Sequence, residues 1–191
     1  TERRAPSSVL ASSGFLPLVC AAASKAQAAR LAECLADPTM FGTAFPVPSI
    51  AVHDTQHYAK DMWKGPAWIN INWLIARGFE CYGFDDLAER LRSRTMEEIE
   101  DAFEKHGALF EFYDDRREIA PPRLLRKGQC APEVSPYHQV LHDYGWTASL
   151  YVDLACTGNV PGVHGFTCDP PAGDVPPPCT ARPYWARTSR S

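Results

Sequence analysis

The sequence has no long apolar segment and no concentration of charge of one sign. Its longest apolar stretch, around residues 68–76, contains two asparagines and is much shorter than the ~20 residues that cross a bilayer. The 191 residues carry a net charge of −4 without a basic stripe, so neither a membrane nor a nucleic acid is an expected partner. With 45% hydrophobic and 22% charged residues, the composition is typical of a globular protein with a substantial core.

The sequence also lacks C-x-x-C pairs, although it contains seven cysteines. His138 and His142 stand four residues apart, but no third ligand follows in a recognisable pattern, so we expect no metal and no cofactor. A disulfide between Cys168 and Cys179 is left open. Three other cysteines lie in apolar or helical patterns and are predicted to be reduced structural thiols: Cys20, Cys34 and Cys81.

Capping and periodicity signals predict a helical chain. Ser24 to Gln27 is a capping box that opens a first helix, which Pro38 ends. A second helix is predicted from Pro66, as its first helical residue, to Tyr82. It is apolar nearly all round, which predicts burial on more than one side.

A third helix is predicted from a cap at Asp85 or Asp86 to His106, followed by Gly107. Its apolar residues form one stripe, composed of Leu87, Leu91, Thr95, Ile99 and Phe103. A buried helix followed by a one-sided helix predicts an αα-hairpin. A last helix is predicted after the segment 144–147.

The composition changes near residue 157. Residues 157–191 contain seven prolines and few aliphatic side chains, which bury too little apolar area to offset the entropy of ordering. We therefore predict one domain over residues 1–156 and a disordered tail over 157–191. The chain does not begin with Met, so its localisation stays open, with a cytoplasmic location favoured.

Two tryptophans mark the first candidate site. Trp63 and Trp68 flank a Gly-Pro pair within the segment 61–72, at the predicted start of the second helix. Sugars present flat C–H faces and a fringe of hydroxyls, so their sites combine aromatic side chains with amide and charged groups. The alternative is that both indoles are core residues at a helix N-terminus.

Glu111 is the second candidate, because it lies between Phe110 and Phe112. Apolar surroundings disfavour a charged carboxylate, so one that persists there is a candidate for proton transfer. The alternative is an exposed glutamate on an alternating segment. Glu118 and Glu133 are further carboxylates, but their proline-rich surroundings indicate a surface loop.

Five segments occur together in the order and spacing of one group of enzymes: residues 14–18, 45–49, 61–72, 110–114 and 144–147. On these segments the chain resembles the C-terminal half of glycoside hydrolase family 63 and the mannosylglycerate hydrolase-like enzymes. Trehalase is a more distant relative. The resemblance covers residues 14–155, and the tryptophan block is its most specific part.

The resemblance implies an all-α fold, a partial (α/α)6 toroid of the six-hairpin glycosidase type. It also implies an inverting reaction, in which an acid and a base stand roughly 6.5–9.5 Å apart to admit water. Glu111 matches the base of this family. The positions around the bound sugar match Asp61, Trp63, Lys64, Trp68 and Trp146.

The chain departs from the family pattern in several places. Lys64 stands where arginine is usual, and an ammonium is not equivalent to a planar guanidinium fork. Tyr144 replaces the more common Phe, and residues 116–137 exceed the usual short connection. The motif that carries the general acid, which resembles Asp-x-Ser-Pro-Arg, does not occur. Four or five helices can be placed, so an incomplete barrel is expected.

These observations leave three hypotheses. The chain is part of a glycosidase that acts on small α-glucosides or α-mannosides, and by itself it is expected to be inactive because the acid is missing. Alternatively it is a non-catalytic carbohydrate-binding or pseudoenzyme product of the same fold. A purely structural helical domain is the third. The expected partner is a small carbohydrate.

Overall fold

Helices form the regular structure of the residues that the computed structural model describes, which are 7–126 and 139–157. The four α-helices of this part are α1 (Lys25–Ala36), α2 (Ile69–Cys81), α3 (Asp85–His106) and α4 (Gly145–Thr157). Short 3₁₀ segments span Ser12–Leu18, Met62–Lys64 and Pro121–Arg123. Within the same residues, extended backbone forms only isolated β-bridges, so the predicted all-α class is confirmed.

The start of α1 follows from its capping box. Ser24 Oγ accepts a hydrogen bond from Gln27 N at 3.2 Å, and Gln27 Oε1 accepts one from Ser24 N at 2.8 Å. Two backbone N–H groups that have no partner within the helix are satisfied in this way. The helix ends at Ala36, two residues before Pro38, as predicted.

Helix α2 begins later than its sequence predicts. Ala67 N donates to Tyr113 O at 2.9 Å, and Tyr113 N donates to Ala67 O at 3.0 Å. Trp68 is also extended, with φ −117° and ψ 131°, so the helix starts at Ile69. The prediction of Pro66 as its first residue is wrong, because residues near Pro66 pair with a distant segment.

Helices α2 and α3 form the predicted hairpin around a buried polar contact. Asn72 Nδ2 donates to Thr95 Oγ1 at 3.1 Å, and that hydroxyl donates to Leu91 O at 2.7 Å. Gly107 ends α3 with φ +68°, a conformation that favours glycine.

Two details of α3 differ from the prediction. Its cap is Phe84, so Asp85 and Asp86 lie in the first turn and neither is the cap. Phe103 is 51% exposed, because residues spaced by four drift about 40° per step around a helix of 3.6 residues per turn. The buried stripe ends on Glu98, Ile99 and Ala102 instead.

Helix α4 packs on the hairpin through polar contacts. Trp73 Nε1 donates to Asp153 Oδ2 at 2.6 Å, and Arg92 Nη1 donates to Leu154 O at 2.7 Å. Its other side leaves Trp146 and Val152 exposed. No helix in residues 7–126 and 139–157 has the length and apolar character of a membrane span.

The cysteine prediction is partly wrong. Cys81 is disulfide-bonded, and Cys20 is an exposed free thiol. Cys34 is free and half-buried, in agreement with the prediction. Cys168 and Cys179 lie outside the described residues, as does the predicted disordered tail apart from Thr157 at the end of α4.

Gly78 allows α2 to approach the 3₁₀ segment Ser12–Leu18. A Cβ atom on Gly78 would lie 2.7 Å from Leu18 Cβ, which is too close for two carbon atoms. We expect Gly78→Ala to lower the free energy of unfolding by about 1–3 kcal/mol, measured by urea denaturation. Gly14→Ala is the control, because a Cβ there meets nothing within 4 Å. Equal midpoints for both variants would contradict this packing.

Candidate functional site

Backbone pairings bring together the segments that carry the predicted site residues. The bridges join Ala67 to Tyr113, Phe110 to His142, Asp61 to Leu125 and Leu125 to Gln139. Glu111 N also donates to Leu141 O at 2.9 Å. Segments distant in sequence therefore form one surface next to the N-terminal end of α2.

Glu111 is buried in this surface, with 4% of its area exposed. Its Oε2 lies 3.0 Å from Nε of Arg126. Both atoms are inaccessible to solvent, and neither makes a hydrogen bond of acceptable geometry. The contact is therefore an ion pair at close distance without a hydrogen bond.

A stack of aromatic rings lies beside the Glu111 segment. The indoles of Trp63 and Trp68 are nearly parallel, 3.8 Å apart and inclined by 6°. Trp68 also contacts Phe112, the neighbour of Glu111, at 5.1 Å between ring centroids. Trp68 is only 3% exposed, whereas Trp63 is 43% exposed. Trp63 is therefore the solvent-exposed ring of the stack, and it packs on the buried ring of Trp68.

The other predicted residues do not all adjoin this stack. Asp61 is half-buried and makes polar contacts, whereas Lys64 is exposed. Trp146 is 57% exposed and packs edge-on against Tyr144, with centroids 6.1 Å apart. Trp146 is thus joined to Tyr144 and not to the two stacked indoles.

Tyr144 interacts electrostatically with the Glu111 carboxylate. Burial raises the pKa of the Tyr144 phenol, and the negative charge of Glu111 raises it further, while Arg126 opposes both effects. Tyr144 therefore contacts Trp146 and interacts electrostatically with Glu111 and Arg126.

A buried charge cluster follows Glu111 along the chain. Lys60 Nζ contacts Asp114 Oδ1 directly and lies 3.2 Å from Asp115 Oδ1. Tyr58 OH donates to the same Asp115 oxygen at 2.6 Å. The second Asp114 oxygen accepts from the backbone N–H groups of residues 118 and 119. This cluster attaches the Glu111 segment to the segment that precedes Trp63.

The cluster shifts two pKa values in the same direction for different reasons. Burial disfavours the Lys60 ammonium, but its contacts with Asp114 and Asp115 outweigh burial and raise the pKa of Lys60. Burial also raises the pKa of Asp115, whose Oδ2 is buried without a hydrogen bond. The positive charge of Lys60 is shared between Asp114 and Asp115, so it compensates the negative charge of Asp115 only in part.

Other candidate residues fall outside this site. Glu118 is exposed and lies 3.4 Å from Lys60. Glu133 and His138 lie outside the described residues. Within the part of the chain that is described, no group of three or more His, Cys, Asp or Glu side chains is arranged to hold a metal ion.

Three residues of the site were not predicted from the sequence: Arg126, Lys60 and Asp115. Arg126 follows Leu124, a fully buried residue, in a segment whose prolines predicted only a surface loop. The two consecutive leucines at 124 and 125 were the sequence feature that indicated burial of this part of the loop against the core. Lys60 and Asp115 each stand next to another charged residue in the sequence, and nothing in the sequence indicated that the two side chains contact each other.

Comparison with known proteins shows the family to which this chain belongs. Residues 1–147 match the family described as the mannosylglycerate hydrolase MGH1-like glycoside hydrolase domain. The chain belongs to this family. Among its relatives, the mannosylglycerate hydrolase MGH1 of Selaginella moellendorffii is 34% identical over 102 residues, which cover 53% of this chain and 20% of that protein. The mannosylglycerate hydrolase of Rubrobacter radiotolerans is 27% identical over 153 residues, which cover 78% and 29%.

Solved structures agree with the family assignment. The GH63 mannosylglycerate hydrolase of Thermus thermophilus in complex with glucose matches with a TM-score of 0.56 and 27% identity. The match covers 81% of this chain and 31% of that structure, so the chain spans about a third of the length of this relative. The predicted fold, a partial (α/α)6 toroid of the six-hairpin glycosidase type, is confirmed.

Lys60 is the residue whose loss tests the charge cluster. We expect Lys60→Met to lower the free energy of unfolding by about 3–5 kcal/mol, because two buried carboxylates lose their shared cation. Urea denaturation measures this change. Lys105→Met is the matched control, since its pair with Asp101 is exposed on α3 and contributes at most about 0.5 kcal/mol. Similar losses in both variants would contradict the structural role of Lys60.

Proposed function

We propose that the chain supplies the base and one wall of the sugar site of an inverting glycoside hydrolase, which acts on small α-glucosides or α-mannosides. Glu111 is the proposed general base. Trp63 is the proposed aromatic surface for the sugar ring, supported by Trp68. Asp61, Lys64 and Trp146 are proposed to contact the sugar or the group attached to it.

One observation carries the proposal. A carboxylate with 4% exposure adjoins Phe112, and Phe112 packs on the tryptophan stack whose outer face is free. Buried carboxylates are rare unless they are paired or used in chemistry. An indole face beside such a carboxylate suits a sugar, whose C–H face packs on the ring while its hydroxyls meet polar groups.

The proposed reaction requires an acid that faces Glu111 across the bound sugar. The base takes a proton from a water molecule, which attacks the anomeric carbon as the acid protonates the departing oxygen. The acid-bearing motif does not occur in the sequence, so we place the acid in a segment outside these 191 residues. The chain alone is then expected to bind sugar without hydrolysing it.

The missing acid motif also favours a second candidate, a carbohydrate-binding or pseudoenzyme product of the same fold. The two candidates make different predictions. Glycoside turnover by a barrel that contains this chain supports the hydrolase. Binding without turnover in a complete barrel supports the binding protein.

Sugar binding by the chain itself is the first test. We expect Trp63→Ala to raise the Kd for glucose roughly tenfold, equivalent to about 1.4 kcal/mol, while the urea midpoint stays near that of the wild type. Isothermal titration calorimetry measures the affinity. Phe103→Ala removes another half-exposed aromatic side chain, on α3, and is expected to leave binding unchanged. If Trp63→Ala and Phe103→Ala bind glucose alike, Trp63 is not a sugar surface.

The base role requires a complete barrel, made by joining this chain to the acid-bearing segment of a mannosylglycerate hydrolase. In that protein we expect Glu111→Gln to lower kcat about 10²–10⁴-fold, the usual contribution of a general base. Release of mannose from mannosylglycerate is the assay. Glu118→Gln is the control, because that carboxylate is exposed. A Glu111→Gln enzyme within a few-fold of the parent would exclude Glu111 as the base.

A further inference from the structure

The position of Arg126 is determined by the two residues before it. Leu124 is fully buried in the core, and its carbonyl accepts a hydrogen bond from Val140 N at 3.0 Å. Leu125 forms a bridge to Asp61 on one side and to Gln139 on the other. The chain therefore reaches Arg126 between the tryptophan segment and the segment that pairs with Glu111.

Arg126 supplies the positive charge that a buried Glu111 requires. Oε2 of Glu111 is inaccessible to solvent and has no hydrogen bond, and a carboxylate in such a place becomes neutral unless a cation compensates it. Among the residues described, the ion pair of Glu111 is with Nε of Arg126, at 3.0 Å. A guanidinium stays charged at every pH at which proteins are folded, so it compensates the carboxylate permanently.

We propose that Arg126 is a positioning residue that keeps Glu111 ionised and directs its carboxylate. A general base must be ionised before it can take a proton. This inference rests on the proposed role of Glu111 as the base. It also gives a function to residues 116–126, the described part of the long connection, which end at this arginine.

The ionisation state of Glu111 tests the proposal directly in the full chain. Infrared spectra of protein labelled with ¹³C-glutamate distinguish carboxylate from protonated carboxyl. Subtraction of the spectrum of a matched Glu111→Gln variant isolates the Glu111 band. At neutral pH we expect the carboxylate band in the wild type and in Arg126→Lys. In Arg126→Met we expect the carboxylate band to be lost and the protonated carboxyl band to replace it.

Two further variants keep the outcome decisive. Arg126→Gln keeps a polar side chain without charge, and we expect the same loss of the carboxylate band if Arg126→Met does not fold. Arg116→Met is the control, because it removes an arginine whose contacts are with other residues than Glu111. Its guanidinium lies 4.8 Å from the centroid of the Tyr58 ring and 4.0 Å from Asp115 Oδ2. A folded Arg126→Met or Arg126→Gln protein that retains the Glu111 carboxylate band would overturn the proposal.

This test separates the inference from the proposed function. Wild-type chain that shows no affinity for glucose contradicts the sugar site but does not alter the infrared result. A normal affinity for glucose, together with an unchanged carboxylate in both Arg126 variants, rejects the role of Arg126 alone.

Discussion

The pairing of Ala67 with Tyr113 is the contact on which the site depends. The two residues are fully buried and exchange two backbone hydrogen bonds, of 2.9 and 3.0 Å. Trp68 follows Ala67 and Phe112 precedes Tyr113, so this pairing brings their rings to 5.1 Å. Glu111 immediately precedes Phe112 in the sequence. These two backbone hydrogen bonds therefore set the position of the tryptophan stack relative to the Glu111 carboxylate.

Buried charge is compensated at both ends of the Glu111 segment, by different means. Beyond Tyr113, Lys60 lies between Asp114 and Asp115, and Tyr58 completes the cluster. At Glu111 itself, the compensating group is Arg126, which comes from the long connection. Breaking a buried ion pair is costly because a charge remains without a partner. The side chains of Trp63 and Trp146 are partly exposed at the surface of this part of the chain.

Local signals in the sequence predicted what depends on neighbouring residues. The Ser24 capping box and the Gly107 end of α3 follow from contacts within a few residues. The α2–α3 hairpin follows from the periodicity of each helix and the short connection between them, so all three were predictable. The start of α2 was not, because Ala67 pairs with Tyr113, which is far away in sequence. Phe103 was misplaced because a spacing of four residues drifts around the helix. Arg126 was not predicted, because its position depends on the bridges that its neighbour Leu125 forms with Asp61 and Gln139. No local sequence pattern encodes these bridges. The family resemblance gave Glu111 and the tryptophan block as candidates, and their roles stay predictions.

A crystal structure of the chain soaked with glucose tests the central claim most directly. The account predicts one glucose with its C–H face on the exposed indole of Trp63 and a hydroxyl or a bound water within hydrogen-bond distance of Glu111. Electron density for glucose away from Trp63, with the Glu111 side chain turned toward bulk solvent, would contradict it.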